Sequence, residues 1–220
     1  DVAPSRGLGD VYKRQIQKAP KEAVSKAYNV FQKANIQRSG TGFTGAPILT
    51  PDELDRSKGE ISWNDLETML SGFAYDAYYN HSETSRKNYF TVWDFAIDQG
   101  FSFGSGMGTN HHYGYQVRKI YTTAWLMRDA IWKAPNRDNI LSTLIFWSAL
   151  QETRQPYQYG RDELLDSWHT LLMAKTVSAL LFTDERERVR ALKGLSRWIS
   201  SSLQYLSLIH ISEPTRRSYI

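Results

Sequence analysis

Residues Ser62 to Ala77 read SWNDLETMLSGFAYDA, and the spacing inside this stretch decides the class of fold. Leu66, Met69, Leu70, Phe73 and Ala77 recur at intervals of three and four, which places them on one face of an α-helix. Ser62 is the residue type that caps a helix start, and Asp65 stands where a capping partner belongs. Upstream, Pro20 to about Ile36 sets Val24, Ala27, Val30 and Phe31 on one side of a second helix. Between the two, Thr41–Glu60 (TGFTGAPILTPDELDRSKGE) has the composition of a long loop.

The same period continues downstream. Thr84–Asp98 predicts a helix with Phe90, Trp93 and Ile97 in register, stopped by Gly100. Gln116–Lys133 predicts one helix with a stripe of Val117, Ile120, Ala124, Met127 and Ile131. Helices over Asn139–Glu152 and Arg161–Phe182 follow, separated by RQPYQYG. Thr183 and Asp184 start a last helix whose core face is Val189, Leu192, Leu195 and Ile199. No run alternates as a half-buried strand would. The chain is therefore read as all-α, with antiparallel helical hairpins. Without a sequence repeat to mark a regular solenoid, they form part of an incomplete (α/α) toroid.

The two ends carry a different signal. Ser5–Gln15 (SRGLGDVYKRQ) and Leu206–Arg216 (LSLIHISEPTR) can be encoded by one DNA sequence read on opposite strands. Eleven residues matching in that way identify translated adapter DNA of the transposase type used in sequencing. Residues 1–15 and 206–220 are accordingly set apart from the fold, and 16–205 is expected to be an internal piece of a longer protein. Leaving out the tails removes five basic and three acidic residues. What remains is 22 against 20, and the net charge drops from +4 to +2. Bulk charge then gives no case for a nucleic-acid partner.

The absence of cysteine excludes disulfides, thiolate zinc sites and a cysteine nucleophile. No apolar run reaches the roughly 18 residues of a membrane span, so no membrane partner is expected. Seven Trp and thirteen Tyr are more than this length needs, and serve either a packed core or sugar stacking.

Chemistry-bearing candidates concentrate in one place. GSGMG at Gly104–Gly108 is not preceded by a strand or followed by Gly-Lys-Ser/Thr, so it reads as a flexible loop, not a phosphate cradle. It leads into TNHHYGYQVRKIY, Thr109–Tyr121. His111 and His112 are adjacent and point apart on an extended backbone, which does not suit chelation of one ion, and no metal site is expected. Tyr113, Tyr115 and Tyr121 offer rings and hydroxyls, and Arg118 can grip a carboxylate or sulfate through two N–H groups. That set suits an acidic sugar, although on local sequence alone a pair of loop histidines is more often structural. Elsewhere the simpler accounts hold. Asp65 and Glu67 are first-turn acids, His169 beside Trp168 is a packed histidine, and Asp184–Arg190 is a solvated face.

The run HH-Y-GY-x-x-R at His111–Arg118, followed by Tyr121 and WLMRDA, resembles the HH-W-GY-x-x-R region of chondroitin sulfate ABC lyases. TGAPI at Thr44–Ile48 is also similar, as are the order and spacing of the helices. The resemblance covers most of 16–205 and implies part of a helical toroid lyase domain. It implies β-elimination on an acidic polysaccharide. A uronate carboxylate is neutralised, a tyrosine helped by histidine and arginine removes the C5 proton, and a proton returns to the leaving oxygen. Carried over, the carboxylate-binding role falls to His112 first and His111 second. Asn110, Tyr113, Tyr115, Arg118 and Tyr121 become candidate sugar contacts. The resemblance further implies a secreted or periplasmic protein and leaves calcium open as a cofactor of the parent enzyme, while the residues themselves indicate none.

The chain departs from the family pattern in one respect. The Arg-His-Glu-Gly…Gly-Tyr segment that carries proton transfer in ABC-type enzymes has no counterpart in these residues. Tyr121, nine positions past His112, only imitates the His-to-Tyr spacing of other branches. The chain alone is thus expected to be inactive. A helical carbohydrate-binding or scaffold domain is the alternative. A toroidal glycoside hydrolase would need two opposed carboxylates, which the sequence does not single out.

Overall fold

A computed structural model of the chain describes residues 19–49, 60–101, 118–150, 175–181 and 184–212. These are mainly helical, as the periodicity requires, and divide into two compact units, 1–99 and 100–220.

The first unit is built on α1 (Lys21–Ala34), α2 (Trp63–Tyr79) and α3 (Glu83–Ala96). The capping box forms as expected: the Ser62 N–H donates to Asp65 Oδ2 at 2.8 Å, and Asp65 N–H donates to Ser62 Oγ at 3.3 Å. Behind it Leu66, Met69, Leu70 and Phe73 are fully buried, so the face read from the opening stretch is the core face. Phe73 meets Tyr28 and Phe31 of α1 edge to face, at centroid distances of 5.1 and 5.3 Å. Next to it Gly72 lets the two helices approach closely. A Cβ there would overlap the Ala27 methyl and the Ala23 carbonyl. Packing of α2 on α3 across a connection of only three residues, Asn80–Ser82, makes this pair an antiparallel hairpin.

Two expectations for this unit change. On α3 the buried stripe is Tyr89, Val92, Trp93 and Ala96, with Phe95 buried beside it; Phe90 and Ile97 are half-buried. Apolar residues occupy adjoining faces of α3, and only the neighbour it packs against selects between them. Short strands also form within and at the edges of the region expected as plain loop. β1 (Gln37–Ser39) and β2 (Gly42–Thr44) form an antiparallel hairpin, and β3 (Ile48–Leu49) pairs in parallel with β4 (Ile61–Ser62). Elements of two or three residues are too short to show alternation. The β3–β4 pair joins segments that only folding brings together. Gly45 of the TGAPI run lies against α1 and α3: a Cβ would sit 3.0 Å from Phe95 and 3.1 Å from the Ala34 carbonyl. That carbonyl accepts from Ala46 N–H at 2.8 Å.

In the second unit, the single helix expected over Gln116–Lys133 is two. α4 (Arg118–Leu126) and α5 (Arg128–Lys133) are separated by a turn at Met127. The buried positions Ile120, Ala124, Met127 and Ile131 match the expected stripe. The Trp125 carbonyl, at the end of α4, accepts from Arg128 Nη1 at 3.0 Å, which satisfies one of the groups a helix end leaves open. α6 (Arg137–Leu150) starts two residues before its expected position and buries Ile140, Thr143 and Leu144. Of the expected Arg161–Phe182 helix, only α7 (175–181) is described. Trp132 Nε1 of α5 donates to the Leu181 carbonyl of α7 at 3.3 Å.

α8 (Glu185–Ser212) begins at Asp184, whose Oδ1 accepts from Glu187 N–H at 2.8 Å. It continues through Leu206–Ser212, inside the tail set apart above. Its expected core face is a correction: Val189 and Leu192 are 43% and 37% exposed, and Leu195 and Ile199 are half-buried. Apolar spacing shows that a face can be buried, but burial needs a covering element, and none of the described ones covers Val189 and Leu192. Near its middle α8 does meet α7, where the Lys175 ammonium lies 5.6 Å from the Trp198 ring centroid.

Candidate functional site

The candidate segment is bounded by two described structures. On its N-terminal side α3 runs into a wide π-type turn, Ile97–Phe101, which Gly100 ends at φ 86°. Only glycine adopts that conformation without strain, so the stop expected at Gly100 is present. The turn is tied to the β1–β2 hairpin, because Asp98 Oδ2 accepts from Phe43 N–H at 3.0 Å. One turn earlier Arg38 Nη2 reaches Asp94 Oδ2 at 3.5 Å, and its guanidinium lies 5.0 Å from the Phe43 ring centroid. On the C-terminal side the segment enters α4 at Arg118.

Of the expected site residues, Asn110, His111, His112, Tyr113 and Tyr115 lie outside the described residues. Arg118 is the first residue of α4. Tyr121 is in the core, 1% exposed, and its hydroxyl donates to the Leu144 carbonyl of α6 at 2.7 Å. Burial pushes its phenol far above the ordinary tyrosine range, and the neighbouring Ser178 hydroxyl offsets only part of that. A phenol placed in this way has no surface for a sugar and resists forming phenolate, so Tyr121 serves packing. The expectation of a sugar contact there followed from its place in the motif. The helical register decides otherwise: Tyr121 sits beside Ile120 on the buried side of α4.

No three His, Cys, Asp or Glu side chains among the described residues come together as metal ligands. None of the described helices is long and apolar enough to cross a membrane. Within WLMRDA, a pair to which the sequence assigned no separate role stands at the surface of this unit. Arg128 places its guanidinium 4.6 Å from the ring centroid of Trp125, which is 36% exposed. The available signal was the i, i+3 spacing of Trp and Arg in WLMRDA.

The sequence that forms these helices, the glycine turn and the His-His-Tyr segment matches a known family. "Lyase, catalytic" matches residues 5–210, and the chain belongs to that lyase family. The matched span reaches into both tails. Within the family the chain is of the chondroitin-lyase-like polysaccharide lyase kind, as two relatives indicate. It is 28% identical over 196 residues to a chondroitin sulfate ABC exolyase from Bacteroides thetaiotaomicron, covering 81% of this chain and 19% of that protein. It is 30% identical over 108 residues to a chondroitin sulfate ABC endolyase from Proteus vulgaris, covering 49% of this chain and 11% of that protein. The chain therefore spans less than a fifth of the length of either relative.

Proposed function

We propose that this chain is part of the helical toroid domain of a glycosaminoglycan lyase. The whole protein cleaves uronic-acid-containing chains of the chondroitin or dermatan sulfate type by β-elimination, outside the cytoplasm. Membership of the lyase family carries this reading, together with the HH-Y-GY-x-x-R run at His111–Arg118. In the reaction a base takes the C5 proton of the uronate and the C4–C5 double bond forms. The C4–O bond breaks, and its oxygen leaves with a proton. The uronate carboxylate opposes C5 deprotonation while it is charged, because the developing carbanion adds negative charge beside it. Hydrogen bonds from His112, with His111 adjacent, lower that cost. Asn110, Tyr113, Tyr115 and Arg118 hold the sugar in place. We assign no sugar contact to Tyr121.

Proton transfer itself belongs to a His and Tyr segment that the 220 residues do not include, so the chain alone is inactive. The tails 1–15 and 206–220 are translated adapter, and sequencing the source DNA across the codons for Gln15 and Tyr205 tests that assignment directly. The functional reading is tested on the full-length protein with His112→Ala. Formation of unsaturated uronide should fall at least a hundredfold, on the order of the loss of a transition-state hydrogen-bond donor. Substrate binding should change far less. Unchanged turnover would favour a helical scaffold without chemistry in this segment.

A further inference from the structure

The exposed side of α4 and the first turn of α5 carry a built feature that the histidine motif does not use. Arg128 is held in three ways. Its guanidinium lies over the Trp125 ring, its Nη1 donates to the Trp125 carbonyl at 3.0 Å, and its Nε is 3.8 Å from Asp129 Oδ1. The first two contacts fix the plane and direction of the fork. The third is a loose pairing with a carboxylate that is 72% exposed, so solvent screens most of it. The other N–H groups of Arg128 meet no acceptor among the described residues. A guanidinium fixed before a ligand arrives gives up little rotamer freedom when it accepts an anion. The part-exposed indole beside it offers an apolar surface to the C–H side of a sugar ring.

Register relates this pair to position 118, where α4 begins. Trp125 follows Arg118 by seven residues, which is two helical turns, so both positions fall on the same side of α4, about 10 Å apart along its axis. Ile120 and Ala124, at the opposite register positions, are buried. The side of α4 that carries position 118 thus presents an aromatic at its end, followed by the Arg128 cation at the start of α5.

We propose that Trp125 and Arg128 form an anion-accepting sugar contact, which takes a sulfate or a uronate carboxylate of the acidic polysaccharide two turns along α4 from Arg118. The inference rests on the reading of the chain as part of a glycosaminoglycan lyase. Trp125 supports the guanidinium and stacks on the sugar, and Arg128 supplies the two-pronged grip. Arg128→Lys keeps the charge but loses the fork, so it should behave more like Arg128→Ala than like the wild type.

The test is calorimetric titration of this chain with a chondroitin sulfate hexasaccharide, repeated with a hyaluronan hexasaccharide that lacks sulfate. Circular dichroism of each variant establishes that it folds, and Trp125→Phe serves as the milder aromatic change. We expect Arg128→Ala and Trp125→Ala each to weaken binding of the sulfated oligosaccharide about tenfold or more, with Arg128→Lys recovering little. If the Arg128 dependence persists with hyaluronan, the anion is the carboxylate; if it disappears, the anion is sulfate, and both results support the contact. Unchanged affinity in folded Arg128→Ala and Trp125→Ala overturns it, as does absence of binding by the wild-type chain. Loss of turnover in full-length His112→Ala alongside either of those results would leave the lyase reading intact and remove only this contact.

Discussion

The Tyr121 hydroxyl donates to the Leu144 carbonyl at 2.7 Å, and Ser178 Oγ donates to the same oxygen at 3.4 Å. One carbonyl of α6 thereby gathers α4, α6 and α7 at a buried point. The tyrosine that stands nine residues past His112 is thus a structural fastening and not the reactive phenol its spacing imitates. Tyr121→Phe keeps the ring and removes only the donor. The loss should be about 1 kcal/mol of stability, the usual net worth of such a bond. Urea denaturation of the chain measures it. In the full-length protein kcat should stay within about twofold, and a loss of a hundredfold or more, of the kind general acid–base catalysis contributes, would return Tyr121 to the chemistry.

Gly72 marks where α1 and α2 approach most closely. Gly72→Ala raises helix propensity by about 1 kcal/mol. The added methyl would nonetheless meet the Ala27 methyl and the Ala23 carbonyl, neither of which can turn aside. The overlap should win, for a net loss of roughly 1–3 kcal/mol. Thermal unfolding of the variant decides it, and a higher melting temperature would mean that the helices simply move apart.

Asp76 links the end of α2 to the start of α3. Burial alone would raise its pKa. Hydrogen bonds from Ser85, Asn80 and Ser82 together outweigh burial and hold the carboxyl below the usual carboxylate range. Asn80 Nδ2 donates to Oδ1 at 2.7 Å, Ser85 Oγ to Oδ2, and the Tyr28 hydroxyl is 2.9 Å from that same serine oxygen. A depressed pKa in the folded state means that the contribution is complete above the unfolded value, near pH 4. It is lost as pH falls through the folded value. The stability gap between wild type and Asp76→Asn should therefore be widest at neutral pH and close below about pH 4. Denaturation midpoints at a series of pH values measure it; a gap independent of pH would assign the effect to packing.

Ser62 is 2% exposed and caps α2 while its own N–H is taken by Asp65. Ser62→Ala should cost about 1 kcal/mol, the typical value of a lost N-cap. Ser62→Asp should restore part of the cap but places a second carboxylate beside Asp65, so recovery should be incomplete. Chemical denaturation of both variants side by side would show this order, and full recovery by the aspartate would mean that the two carboxylates do not repel.

Local signals in the sequence determined what was local in the protein. The capping box at Ser62 and Asp65, the stop at Gly100, the cap at Asp184 and the stripe through Ile120 and Ile131 each depend on residues within a few positions of one another. Helical period is such a property, and it made the all-α class readable. The His-His-Tyr run could be read for the same reason, since its residue types and spacing lie within one short segment.

Tertiary structure decided whatever depends on a distant neighbour. It chose Tyr89 and Val92 over Phe90 and Ile97 as the inner side of α3, because only the elements packed against that helix distinguish adjoining apolar faces. It left Val189 and Leu192 exposed, because amphipathic spacing cannot supply a covering partner. It paired Ile48 with Ile61 across an intervening segment, and it made glycine necessary at positions 45 and 72 through backbones and side chains remote in sequence. It also turned Tyr121 inward and Trp125 outward on one helix, since burial follows from what packs against each side.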